Sequence, residues 1–207
     1  MRVMMINGSP HAKGNTYVAL DEMKKIFDEE NIEVDYLHVG NKIIRGCVAC
    51  YQCQKTGRCV FDDAVNESIP ILEKADGVVI GSPVYFASAA GTLTSYLDRL
   101  FLSTISSMRK NLKVGASVVI ARRGGCSSTF DQLNKYFANN EMPIASSQYW
   151  NMVYGMTPGE AVQDIEGLQT MRTLARNMIF MMKSFALGKE KFGPPQKEEW
   201  TPTNFIR

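Results

Sequence analysis

The sequence predicts an α/β fold, a doubly wound five-stranded parallel sheet in the order 2-1-3-4-5. Two observations carry that expectation. Short apolar runs alternate with segments whose apolar residues recur at helical spacing, and polar, glycine-bearing loops follow the runs where a strand hands over to a helix. A third bounds it: 207 residues, 45% hydrophobic and 21% charged, suit one α/β domain with a full core.

In chain order, Arg2–Ile6 reads as the first strand, a short apolar run that breaks into polar Asn7-Gly8-Ser9-Pro10. Asn15–Glu30 follows as a helix, with Ala19, Met23, Ile26 and Phe27 on one face. Ile32–Leu37 is the second strand. His38–Asp62 has no sustained period and is long for a strand-to-helix connection, which marks it as a functional insertion. Asp63 is placed to cap a helix over Ala64–Lys74, which Pro70 should kink or start later. Ala75–Gly81, Gly91–Phe101, Lys113–Ala121 and Ser127–Ala138 continue the alternation. Pro143–Val153 should hold the fifth strand, and a long helix over Gly159–Ala186 carries Ala161, Ile165, Leu168, Met171, Ala175, Met178 and Met182 on one stripe. Residues 1–190 form the expected domain, with a cysteine-rich insertion at 38–62. Residues 191–207, with Pro194, Pro195, Trp200 and Pro202, read as an arm lying on a surface.

Charge and hydropathy exclude several classes. A net charge of +2 is too small for a dedicated nucleic-acid or membrane-surface binder. The apolar start is too short for a signal peptide, and no stretch approaches the ~20 apolar residues of a membrane helix. A cytoplasmic protein with reduced thiols is expected, so its clustered cysteines point to metal or redox chemistry rather than structural disulfides.

Three loops fall where ligands bind in such sheets. Asn7–Thr16 brings backbone amides and a helix N-terminus together, with Ser9, Asn15 and Thr16 as donors and His11 or Lys13 to add charge around Gly14; it reads as a phosphate site, the alternative being a polar turn with a good helix cap. It matches neither the dinucleotide nor the Walker pattern. Gly81–Gly91 offers Tyr85 and Phe86 to flank a flat ring beside Pro83 and Val84. Ala121–Ser128 adds Arg122, Arg123, Gly124 and Gly125 for that ring's polar edge, and the same residues also suit core packing or a solvated surface. Four cysteines then stand within thirteen residues: Cys47, Cys50, Cys53 and Cys59. Thiolates at this spacing suit an iron-sulfur cluster if the backbone curls, with Gly46 and Gly57 supplying freedom near the ends; a structural zinc, a thiol redox pair and an unmetallated loop are the alternatives. Cys126 reads as a small buried residue, and Tyr149 and Trp150 as core, interface or a lid. His11 and His38 are not read as catalytic, and Met171, Met178 and Met182 read as packing.

The motifs Gly8–Thr16, Gly81–Phe86 and Gly124-Gly125 resemble the NADPH-dependent FMN reductase branch of the flavodoxin-like superfamily, and C-x2-C-x2-C-x5-C resembles the iron-sulfur flavoproteins within it. The resemblance implies FMN with its phosphate on Ser9–Thr16, its ring against Pro83–Phe86 and Arg123–Gly125 at the far edge. It further implies a [4Fe-4S] cluster on the four cysteines and a homodimer or homotetramer. The expected function is electron transfer between cluster, FMN and an acceptor such as dioxygen, a quinone or another carrier, with small-molecule or protein redox partners. The alternatives are an NAD(P)H-dependent FMN reductase acting on quinone, azo, nitro or flavin acceptors without a cluster, and a zinc-stabilised binding module.

Overall fold

The computed structural model describes residues 1–108, 110–199, 201–203 and 205; Trp200 and Arg207 of the expected arm lie outside the described residues. Five parallel strands form the sheet: β1 (Arg2–Asn7), β2 (Glu33–His38), β3 (Gly77–Tyr85), β5 (Val114–Ala121) and β6 (Met152–Tyr154). Their spatial order is β2-β1-β3-β5-β6, and a two-residue strand β4 (Ser88–Ala89) pairs antiparallel with the end of β3. The path is the expected doubly wound one with this small hairpin added. Register runs from Val3 opposite Val34 and Gly77 to Val114 opposite Gly77.

Both faces of the sheet are covered, so the central strands are apolar almost throughout. On one face α1 (Asn15–Glu29) and α6 (Ile165–Phe192) pack Leu20, Met23, Phe27, Met171, Leu174 and Met178 against Val3, Met5, Val79 and Val118. On the other, α3 (Ala64–Lys74), α4 (Gly91–Thr104) and α5 (Cys126–Ala138) bring Leu72, Leu93, Tyr96, Leu97 and Phe137 onto Met4, Ile6, Val78 and Ile80. Among the described residues no helix is long and apolar enough to cross a membrane.

Several expectations need correction. Pro70 neither delays nor divides α3: Asp63 Oδ1 accepts from Val65 N at 3.0 Å and holds the start at Ala64, while Pro70 sits within the helix. The fifth strand is only Met152–Tyr154, preceded by an isolated bridge from Ile144 to Gly115. Ser147 Oγ donates to Tyr149 O or Asn151 Oδ1 instead, turning the intervening chain away from the sheet. The last helix begins at Ile165, because Asp164 Oδ1 accepts from Gly167 N at 2.9 Å and a separate 3-10 turn occupies Glu160–Gln163. Ile165 consequently points to solvent, at 71% exposure, whereas Met171, Met178 and Met182 are buried as the stripe requires. The helix continues to Phe192, beyond Ala186.

Gly115, the second residue of β5, lets the Phe137 ring rest on the strand: a Cβ there would lie 2.5 Å from Phe137 Cγ. Gly115→Ala is expected to overpack this contact and cost about 1–3 kcal/mol. The urea midpoint should fall with an unchanged denaturant slope.

Candidate functional site

Parallel pairing places the carboxyl ends of β1, β2, β3, β5 and β6 along one edge of the sheet. The loops after β1, β3 and β5 emerge there, and so does the start of the cysteine segment, which leaves β2 at His38. That adjacency follows from topology. The cysteines themselves lie against Arg99, Leu102 and Ser103 in the second half of α4.

The loop after β1 is built from inside. Ser9 N donates to Asn7 Oδ1 at 2.9 Å, His11 N donates to Ser9 Oγ at 3.2 Å, and His38 Nε2 lies 2.7 Å from Ser9 O. Asn7 Nδ2 in turn donates to Tyr36 Oη at 2.8 Å, and burial pushes the Tyr36 hydroxyl up to about 12 against that bond. No side chain caps α1, whose first-turn amides therefore face the loop without an intrahelical partner. Ser9 and Thr16 are buried there, while His11 and Lys13 project to solvent. Asn15 also has a structural partner: its Oδ1 accepts from Ala161 N at 3.1 Å and ties α1 to the segment after β6. His38 is a brace for the loop, a role its position at the end of β2 could have suggested.

Tyr85 and Phe86 sit on the β3–β4 hairpin. The register Tyr85↔Ser88 leaves Phe86 and Ala87 as a two-residue turn, with φ of 49° and 58°. Such turns ordinarily take Asn-Gly; a phenylalanine held there is strained, a condition that concentrates at functional sites. Phe86 is fully exposed and Tyr85 half exposed, so core packing does not account for either. Helix α5 clamps the hairpin: Gln132 Oε1 accepts from Ser88 Oγ and Ala89 N, both at 2.9 Å, and Ser128 Oγ donates to Ala87 O at 2.7 Å. Gly125 makes the contact possible. It has φ of 87°, and a Cβ there would lie 2.8 Å from Val84 and Ala87. Gly124 faces open space, and Arg122 and Arg123 are exposed beside it. Cys126 is buried at the start of α5 with its thiol pushed up by burial, next to the Tyr154 hydroxyl, which burial also raises. Tyr149 and Trp150 are exposed, so neither is a core residue.

The four cysteines line one small cavity of about 20 Å³, together with Phe61, Arg99 and Leu102. Curling the backbone around it falls to Ala49 and Tyr51, with φ of 51° and 55°, rather than to Gly46; Gly57, at 68°, ends the short helix α2 (Cys53–Thr56). Ala49 N points at Cys47 Sγ at 3.4 Å, and Arg99 Nε donates to Cys59 Sγ at 3.2 Å. The side chain of Asn66 holds Cys59 by both its amide and its carbonyl, at 2.8 and 2.9 Å. Burial raises the Cys53 thiol, and neighbouring Cys59 adds to that. Among the described residues, no three His, Cys, Asp or Glu side chains stand close enough to hold a single metal ion.

Residues 1–157 match the NADPH-dependent FMN reductase family. The chain is also 31% identical over 190 residues to an iron-sulfur flavoprotein of Methanocaldococcus jannaschii, covering 88% of this chain and 98% of that protein. The chain belongs to the iron-sulfur flavoprotein group of the NADPH-dependent FMN reductase family. It is a flavin-dependent oxidoreductase. The fold agrees with solved structures of low identity. An NAD(P)H:quinone oxidoreductase from Methanothermobacter marburgensis superposes with TM-score 0.68 at 14% identity, over 86% of this chain and 97% of that one. An oxidised flavodoxin from Bacillus cereus gives 0.58 at 12%, over 87% and 98%.

In this family member the loop after β1 and the start of the cysteine segment touch at Gly40, where a Cβ would lie 2.1 Å from the Ser9 carbonyl oxygen. Gly40→Ala must separate two backbones and is expected to destabilise the chain by at least about 2 kcal/mol. Urea denaturation measures the loss, and limited proteolysis should show faster cleavage between residues 41 and 58.

Proposed function

We propose that the chain binds FMN on the rim and a [4Fe-4S] cluster in the cysteine pocket, passing electrons between cluster, flavin and an acceptor such as dioxygen, a quinone or another carrier. The observation that carries this reading is the convergence of Cys47, Cys50, Cys53 and Cys59 on one pocket, in a loop that begins against the phosphate loop. The donor set fits. Four thiols with N–H groups aimed at two of the sulfurs suit iron-sulfur ligation. A zinc ion would need all four sulfurs about 2.3 Å from one point, a tighter grouping than these side chains form.

The rim fits FMN in the same way. The uncapped first turn of α1, with the hydroxyls of Ser9 and Thr16, supplies neutral donors for a phosphate dianion, and Gly14 keeps the approach free of a side chain. Pro83, Val84, Tyr85 and Phe86, with Phe86 strained and exposed, are our wall for a flat ring, and Arg123, Gly124 and Gly125 are assigned to its polar edge, where a cation would offset negative charge. When bound, FMN supplies two-electron chemistry and the cluster one-electron chemistry. The protein's part is to hold both groups, orient the ring and place donors, and no side chain serves as a nucleophile. The strained, exposed Phe86 supports contact with another copy of the chain in a homodimer or homotetramer. Free thiols in the pocket suit the cytoplasm. Membership of a family described by NADPH supports NAD(P)H as a transient donor.

Anaerobically purified protein is expected to show flavin bands, broad iron-sulfur absorption and about four irons and four sulfides per chain. Flavin without metal makes direct hydride transfer from NAD(P)H to FMN the function instead. Cys50→Ser should remove the iron while FMN stays bound. Thr16→Val, which keeps shape and removes one hydroxyl, should weaken FMN binding about tenfold, the effect of losing a hydrogen bond to a charged group; fluorescence titration of the apoprotein reads it.

A further inference from the structure

Arg99 is a fully buried cation in a helix otherwise facing the core with Leu93, Tyr96, Leu97 and Leu100. All five of its acceptors come from residues 45–63. Nη1 donates to Asp63 Oδ2 at 2.7 Å and to Arg45 O at 3.3 Å; Nη2 donates to Asp63 Oδ1 and Phe61 O, both at 3.0 Å. The Phe61 ring lies 5.2 Å from the guanidinium and is shared with Arg45 at 4.7 Å. Asp63 neutralises the charge, and the remaining Nε–H is spent on Cys59 Sγ at 3.2 Å. Its contrast with the other sulfurs is sharp: Cys47 receives a backbone amide, and Cys53 Sγ has only the Leu102 carbonyl at 4.0 Å.

We infer that Arg99 is a positioning residue that fixes the Cys59 sulfur before any metal arrives and, through its Nε–H hydrogen bond to that sulfur, raises the reduction potential of the cluster. The inference rests on the cluster reading above. A hydrogen bond to a ligating sulfur draws electron density from it and so favours the more negative, reduced form. The planar fork is essential, because it satisfies Asp63, Phe61 and Arg45 while leaving one donor in a fixed direction; a lysine keeps the charge and the Asp63 partner without that geometry.

Wild type, Arg99→Lys and Arg99→Met are compared after anaerobic reconstitution, by iron, sulfide and FMN content, circular dichroism and a redox titration followed by electron paramagnetic resonance. Arg99→Lys should fold, keep FMN and lower the cluster midpoint by about 59 mV, a tenfold change in the oxidised-to-reduced ratio of a one-electron couple. Arg99→Met should lower it further or lose iron with FMN retained. Loss of iron from folded Arg99→Lys likewise supports positioning. If Arg99→Met does not fold, Arg99→Lys decides. A cluster in Arg99→Lys with the wild-type midpoint overturns the inference and leaves the cluster reading intact. Wild type without iron and sulfide overturns the cluster reading itself, and the tuning with it.

Discussion

A buried guanidinium cannot be left without partners, and Arg99 makes that constraint the organiser of one whole side of the molecule. Removing one partner of a buried ion pair typically costs about 3–5 kcal/mol, so the chain between Arg45 and Asp63 must return to α4 and present its carbonyls, a carboxylate and a sulfur there. Asp63 meets this demand while also capping α3, which couples the start of that helix to the shape of the cysteine loop. Asn66, one turn into α3, grips Cys59 from the other side. The pocket is thereby shaped by ordinary polar satisfaction of buried groups.

The second constraint is topological. Every strand of the main sheet is parallel, so the segment after β2 must emerge on the same edge as the loops after β1, β3 and β5. Close backbone approaches then turn adjacency into contact, Gly40 on Ser9 and Gly125 on Val84 and Ala87. Strain is held in two of these loops. Ala49, Tyr51, Phe86 and Ala87 all hold left-handed backbone that glycine or asparagine would adopt more readily. Each costs of order 1–3 kcal/mol, offset by the clamps of α5 on the hairpin and of Arg99 and Asn66 on the cysteine segment.

Much of this was legible in the residues. The alternation of Arg2–Ile6, Asn15–Glu30 and Ile32–Leu37 gave correct elements because apolar period and polar loops agree there. The fifth strand was overextended because Ser147 and Asn151 satisfy backbone and each other within a turn, a local competition that apolar content does not reveal. The bond from Ala161 to Asn15, 146 residues apart, could not be read from the helix-opening position of Asn15. Arg99 went unread for a related reason: a single arginine in an apolar helix shows its importance only when its acceptors are known. The signal available was its place on the buried stripe with Tyr96, Leu100 and Ser103.

By itself the sequence determined the α/β class, the doubly wound path, the rim loops and the four-cysteine motif, since these follow from period, composition and spacing along the chain. Only the tertiary structure decided that the cysteines share one pocket, that Gly40 brings the start of this segment onto the loop after β1, and that Arg99 addresses Cys59. Those facts depend on contacts between residues far apart in sequence, where satisfaction of buried charge and the absence of a Cβ, rather than local preference, select the geometry.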